Sequence, residues 1–138
     1  MQIVAIAVAT LDGRITRPGE AGAGFASTAD QTWFRRSLQG FDCAVMGRRT
    51  YSSVRDQLLE RVRTSGDGGA RIVMTRRPMT HAGDAVPGLL EFTNSPPAAI
   101  VRDLRARGHS RCAVLGGGEV YRQFLAARLI DALWLTLE

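Results

Sequence analysis

The fold this sequence predicts is α/β: an open, mostly parallel sheet with helices on both faces, built as a single domain. Three observations predict it. Short apolar runs alternate with stretches of helical periodicity along the whole chain. The runs Ile3 to Ala9, Phe41 to Met46 and Cys112 to Leu115 are apolar at nearly every position, which is the pattern of strands buried on both faces. Several strands end in glycine or arginine just before a helix, at the carboxyl edge where open α/β sheets place their ligands. The chain of 138 residues matches the size of one domain, residues 1–138.

Ile3 to Ala9 reads as a central parallel strand, stopped by Asp12-Gly13. Pro18 to Gly24 carries glycine, alanine and proline without periodicity and reads as a loop. Ser27-Thr28-Ala29-Asp30 sets a capping hydroxyl ahead of an acid, so a helix is expected through Trp33, Phe34 and Leu38, stopping at Gly40. Phe41 to Met46 is a second strand, and Gly47-Arg48-Arg49-Thr50 leads from it into a helix carrying Tyr51, Val54 and Leu58. A flexible connection at Thr64 to Gly69 precedes a third strand, Arg71 to Met74, which ends beside Arg76 and Arg77. Gly83 to Gly88 turns the chain into a short strand at Leu90 to Phe92, Pro96 opens a helix with Ile100, Val101 and Leu104, and Gly108 closes it. The Cys112 strand, a helix to Ala127 and a last strand from Ala132 to Leu137 complete the chain.

All 18 basic residues are arginine, and the net charge of +5 favours anionic ligands. With 7% aromatic residues and no basic run interleaved with them, nucleic acid is not an expected partner. No apolar run is long enough to span a bilayer and no leader pattern opens the chain, so a soluble cytoplasmic protein with no membrane partner is expected. Cys43 and Cys112 lack metal-ligand spacing, with only His81 and His109 to help, and read as buried free thiols; no metal is expected.

Most informative is Gly116-Gly117-Gly118-Glu119-Val120-Tyr121-Arg122-Gln123-Phe124-Leu125, where an apolar strand meets three glycines and then a helical pattern. Such a helix start offers free N–H donors and positive dipole to a phosphate; a merely tight strand-to-helix connection fits the stretch equally well. Asp30 falls in the first turn of a helix, where an acid can serve only the dipole. The Trp33 and Phe34 that follow it would put the carboxylate at the edge of an apolar pocket, where it can grip an amidine-like ring edge. Arginine pairs beyond two strand ends suit a 2′-phosphate, hence NADPH over NADH, although no G-x-G-x-x-G follows the first strand.

Taken in order, Ala29 to Arg36, Val45 to Tyr51, Gly116 to Leu125 and Leu135-Thr136 resemble the successive signatures of dihydrofolate reductases over nearly the whole chain. The opening Ala9-Thr10-Leu11-Asp12-Gly13-Arg14-Ile15 is more similar to the related reductase domain of riboflavin biosynthesis. The resemblance implies hydride transfer from NADPH to a C=N bond. It implies that Asp30 holds the ring edge and favours protonation of the imine nitrogen, that Thr136 supports Asp30, and that Ile6, Phe25, Phe34 and Val54 line the substrate. It also implies that Ala7 and Ile15 line the nicotinamide pocket, that Gly47, Arg48, Arg49 and Thr50 hold phosphates, and that Thr75 and Arg76 hold the 2′-phosphate. Gly117, Gly118, Glu119 and Val120 would cradle the pyrophosphate, with Tyr121 and Gln123 beside them.

Three departures shape the expectation. Gly24-Phe25 stands where the family has Pro-Trp, so the closing loop differs. The arginine that binds the folate glutamate is replaced by Gly68-Gly69-Ala70, with Arg71 and Arg55 near but not matching, which favours a pterin without that carboxylate. The sequence stops at Leu137-Glu138, short of the family's C-terminal hairpin; an uncovered edge would pair, so a homodimer is expected, and a concentration-independent monomer by light scattering would count against it. The expected function is NADPH-dependent reduction of a 7,8-dihydropterin to the tetrahydropterin, dihydromethanopterin ahead of dihydrofolate. The alternatives are a riboflavin-pathway reductase of a ribosylaminopyrimidine phosphate and a non-catalytic NADPH-binding protein.

Overall fold

A computed structural model describes residues 1–9, 36, 38–64 and 69–137 of the chain. The expected loop at 18–24, most of the helix expected from 27, and residues 65–68 lie outside it. The described residues form strands β1 (Gln2–Ala9), β2 (Cys43–Gly47), β3 (Ala70–Met74), β4 (Leu90–Thr93), β5 (Arg111–Val114) and β6 (Ala132–Leu137). Their helices are α1 (Arg48–Thr64), α2 (Pro97–Ala106) and α3 (Gly118–Ala126), with a 3-10 turn at Pro78–His81. The sheet order is β4-β3-β2-β5-β1-β6, and every strand pair in it is parallel. An isolated antiparallel bridge joins Val86 to Leu90. The expected α/β class and parallel sheet therefore hold, with strand ends displaced by a residue or two.

The near-continuous apolar runs are explained by what covers each face. Ile3, Ala5, Cys43, Val45, Ile72, Cys112 and Val114 pack under Ile100, Val101 and Leu104 of α2 and Val120 and Phe124 of α3. Met46 and Val73 point to the other face, against Tyr51, Leu58, Leu59 and Val62 of α1. Val4, Ile6, Ala44 and Ala113 continue that second face with Phe41, Leu38 and Trp134. Burying each aliphatic side chain contributes roughly 1.5–3 kcal/mol, and a strand with helices on both sides gains this at every position. Helices therefore cover both faces, as expected.

Loop chemistry sets the element ends. The Gly108 N–H donates to Arg105 O and the His109 N–H to Leu104 O, closing α2 with Gly108 at φ 91. The same pattern closes α3, where Arg128 takes the left-handed position at φ 56. Asp131 fastens β6 to β1 by accepting the Ile3 N–H at 2.7 Å while its own N–H donates to Ile3 O at 2.8 Å.

The 3-10 turn was not foreseen, although Pro78 at its start is a visible signal. It is held by side chains: Tyr51, fully buried, donates its hydroxyl to Asp84 at 2.8 Å, and the Arg55 guanidinium bonds both Asp84 oxygens at 2.8 and 2.9 Å. His81 stacks on Phe92 at 4.8 Å, with Tyr51 edge-on to both rings. The Arg55 guanidinium beside Asp84 holds its carboxyl at about 2, below the ordinary 3.8. Such a depressed group stabilises the fold above its unfolded value, and that contribution is lost as pH falls through its folded value. Asp84→Ala is thus expected to cost about 1–3 kcal/mol at neutral pH, because it orphans the Tyr51 hydroxyl. In urea unfolding the gap between wild type and variant should narrow as pH falls from 3.8 toward 2; a gap unchanged at pH 2 would remove the ionic contribution from the account.

Candidate functional site

The carboxyl ends of β1, β2 and β5 lie side by side because these strands are neighbours in the sheet. There the two strand-glycine-helix junctions of the sequence meet. The Gly47 N–H donates to Gly116 O at 2.7 Å, and Leu115 N–H to Val45 O at 2.9 Å, tying the end of β2 to the turn after β5. A methyl built on Gly47 would stand 3.1 Å from Val120 Cγ2 and 3.6 Å from both Gly116 O and Gly117 N. On Gly117 it would face Thr50 Oγ1 at 3.9 Å. Gly116 adopts φ 102, and the Gly116-Gly117 peptide is cis. Backbone therefore approaches backbone here with no side chain between.

Two helices leave this junction. The cap residue of α3, Gly117, makes no side-chain cap and the first turn of α3 carries Glu119, whereas α1 carries no acid in its first turn. Arg48, Arg49, Arg76 and Arg77 are all exposed and form no ion pair among the described residues. Two helix starts and four exposed guanidiniums make this edge suited to phosphate. A Cβ at Gly47 would crowd Val120, so glycine keeps this close backbone approach open.

Several expected residues are already engaged. The Tyr121 hydroxyl donates to the Ile6 carbonyl at 2.6 Å, joining α3 to β1, and burial pushes its pKa upward. Ile6 itself is buried on the second face. The Val120 side chain packs in the core, so the backbone is what it presents to the turn. Glu119 pairs with Arg122, whose Nε lies 2.9 Å away, and accepts from Gln123 at 3.2 Å. The Arg122 guanidinium, then Gln123, holds the Glu119 carboxyl at about 2. Thr75 Oγ1 accepts the Arg77 N–H at 3.3 Å, fixing the turn that carries Arg76. Arg55, considered for a substrate carboxylate, is committed to Asp84, and Arg71 Nη1 donates to Gly69 O at 3.2 Å.

Val54 stands half exposed on α1, and Ala7 lies near the end of β1 in register with Leu135. Thr136 lies in β6, in register with Val8. Asp30, Phe34, Phe25 and Ile15 lie outside the described residues. The sequence reading missed Asp84 and the joining of Asp42 to His109 described below. Neither had a local signal, since each partner is distant in the chain.

Residues 2–138 match the family model of the RibD C-terminal domain. Among solved structures, a pyrimidine reductase-like protein from Corynebacterium diphtheriae is similar with TM-score 0.71 at 18% identity, over 97% of this chain and 73% of that one. A diaminohydroxyphosphoribosylaminopyrimidine deaminase/5-amino-6-(5-phosphoribosylamino)uracil reductase from Thermotoga maritima is similar with TM-score 0.72 at 18% identity. That match covers 99% of this chain and 44% of the other, so this chain spans less than half of that protein. At such identity the likeness is one of fold. No curated protein matches the sequence, and no helix among the described residues is long and apolar enough to cross a membrane.

Proposed function

Because the chain belongs to the RibD C-terminal domain family, a reductase family with the dihydrofolate reductase-like fold, we propose that it reduces a ribosylaminopyrimidine phosphate of riboflavin biosynthesis with NADPH. The structural observation that carries the reading is the glycine turn where Gly47 meets Gly116-Gly117, edged by Arg48, Arg49, Arg76 and Arg77, which are exposed and form no ion pair among the described residues. The family match, the two solved relatives and the Leu11-Asp12-Gly13-Arg14-Ile15 opening support the pyrimidine over the dihydropterin that the sequence first favoured.

The cofactor, when bound, supplies the hydride. Arg48, Arg49, Thr50, Thr75 and Arg76 would hold its phosphates, and the backbone from Gly117 to Val120 its pyrophosphate. A ribosylamine opens to an imine, and addition of hydride at carbon with a proton at nitrogen gives the ribitylamine. Asp30 is assigned to the pyrimidine edge, with Thr136 supporting it, so that the ring is held while the C=N bond is reduced. Tyr121 keeps α3, and with it the glycine turn, in place against β1.

The test is NADPH oxidation with the ribosylaminopyrimidine phosphate, its dephosphorylated form, dihydrofolate and dihydromethanopterin side by side. The phosphorylated pyrimidine is expected to turn over, and removing its phosphate should lower kcat/KM by roughly 10–100-fold, the worth of a charge-assisted hydrogen bond. Asp30→Asn should reduce kcat by about 100-fold or more while leaving NADPH affinity unchanged. Turnover of a pterin alone would restore the dihydropterin reading. NADPH binding with no turnover of any substrate would leave a binding protein.

A further inference from the structure

The opposite, amino edge of the sheet carries a second cluster. Asp42 precedes β2, Cys43 opens it, and His109 lies in the short turn between α2 and β5. One carboxylate oxygen of Asp42, the Cys43 thiol and one ring nitrogen of His109 all lie within 4.8 Å of one another. His109 Nδ1 is 3.7 Å from Asp42 Oδ1. The ligands of a four-coordinate zinc ion stand about 3.3–3.8 Å apart, given bonds of about 2.0–2.3 Å, so small side-chain rotations close the set.

The backbone beneath these groups is locked. Asp42 accepts the Ser110 N–H at 2.7 Å, the Ser110 hydroxyl at 3.1 Å and the Arg111 N–H at 3.1 Å. Its own N–H donates to Arg111 O at 3.1 Å. These contacts orient the carboxylate as the supporting hydrogen bonds of a metal ligand do. The His109 backbone is pinned by the turn that closes α2. The Cys43 thiol is buried and donates weakly to Arg111 O at 3.6 Å, a contact that a bound ion would replace. Asp42 and His109 are partly exposed and give an entry path.

We propose that Asp42, Cys43 and His109 form a binding site for one thiophilic divalent ion of the zinc type, at the end of the sheet remote from the glycine cradle. A thiolate and an imidazole select against magnesium and calcium. Binding displaces one proton, from the Cys43 thiol, to solvent; carboxylate, thiolate, neutral imidazole and divalent ion then sum to zero charge, which a half-buried site tolerates. The fourth position falls to water on the solvent side. The ion would clamp the start of β2 to the turn before β5.

The test is cobalt(II) and zinc(II) titration of the purified full chain after chelator treatment. One equivalent of cobalt is expected, with a sulfur-to-cobalt charge-transfer band and the strong visible bands of a four-coordinate ion, displaced by zinc. Cys43→Ser should abolish the charge-transfer band. Because that variant alters a core residue, His109→Asn at the partly exposed position provides a second arm, expected to weaken binding at least tenfold with the circular dichroism unchanged. A weak six-coordinate cobalt spectrum, no charge-transfer band, or affinity insensitive to His109→Asn would overturn the site.

Discussion

Gly69→Ala is expected to destabilise the protein by about 3–5 kcal/mol, the upper range for a single substitution. Gly69 precedes β3 at φ 73, a conformation that a side chain rarely adopts. An added Cβ would stand 2.0 Å from the carbonyl oxygen of Asp42 and 2.6 Å from its carbonyl carbon. Both are backbone atoms. That carbonyl accepts the Ala70 N–H at 3.3 Å, so it cannot retreat without breaking the first rung between β2 and β3. Denaturant unfolding of wild type and variant measures the loss; a midpoint within error of wild type would show that the chain before β3 relaxes freely.

The second large effect is expected from Gly116→Ala. Gly116 sits at φ 102, and a methyl there would meet the Tyr121 ring at 3.0 Å and its hydroxyl oxygen at 3.1 Å. To make room the ring must shift by a few tenths of an ångström, which strains the 2.6 Å hydrogen bond that ties α3 to the Ile6 carbonyl of β1. Strain at a left-handed position together with the crowded ring should cost about 1–3 kcal/mol of stability. The functional effect should be larger than that of a remote mutation of equal cost, because Tyr121 and Gly117 belong to the same turn. NADPH affinity, read by fluorescence titration at a temperature where the variant remains folded, is expected to fall at least tenfold. Tyr121→Phe separates the two contributions: it removes the hydroxyl and leaves the turn, so it should lower stability with a smaller effect on NADPH. Equal loss of NADPH affinity in both variants would mean that the hydroxyl, and not the shape of the glycine turn, governs the cradle.

Much of the architecture was legible before any coordinates. Ile3 to Ala9 and Ala132 to Leu137 read as strands because they are short, largely apolar runs in a chain where such runs alternate with helical periodicity. Gly108 announced the end of α2 because a left-handed residue closes a helix at least cost in glycine. The same logic did not foresee Arg128 at the matching position of α3, where tertiary packing of Leu129 and Ile130 overrides the residue preference. Gly47 and Gly116 were each recognisable as junctions, and the resemblance set them in one site. Their contact, and the hydroxyl of Tyr121 on Ile6, came only with the strand order.

By itself the sequence determined the α/β class, the places where strands hand over to helices, the clustering of arginine and glycine at carboxyl ends, and the family. These are local properties, written in periodicity and in residues one or two turns apart. Tertiary structure alone decided which strands became neighbours. That choice set β5 between β2 and β1, and with it brought Gly116 to Gly47 at one edge of the sheet and His109 to Asp42 and Cys43 at the other. It also gave Asp84 the buried hydroxyl of Tyr51, 33 residues away. The physical reason is that burial, which selects the pairing, rewards apolar surface without regard to distance along the chain, whereas the polar contacts that define a site form only once that pairing has been made.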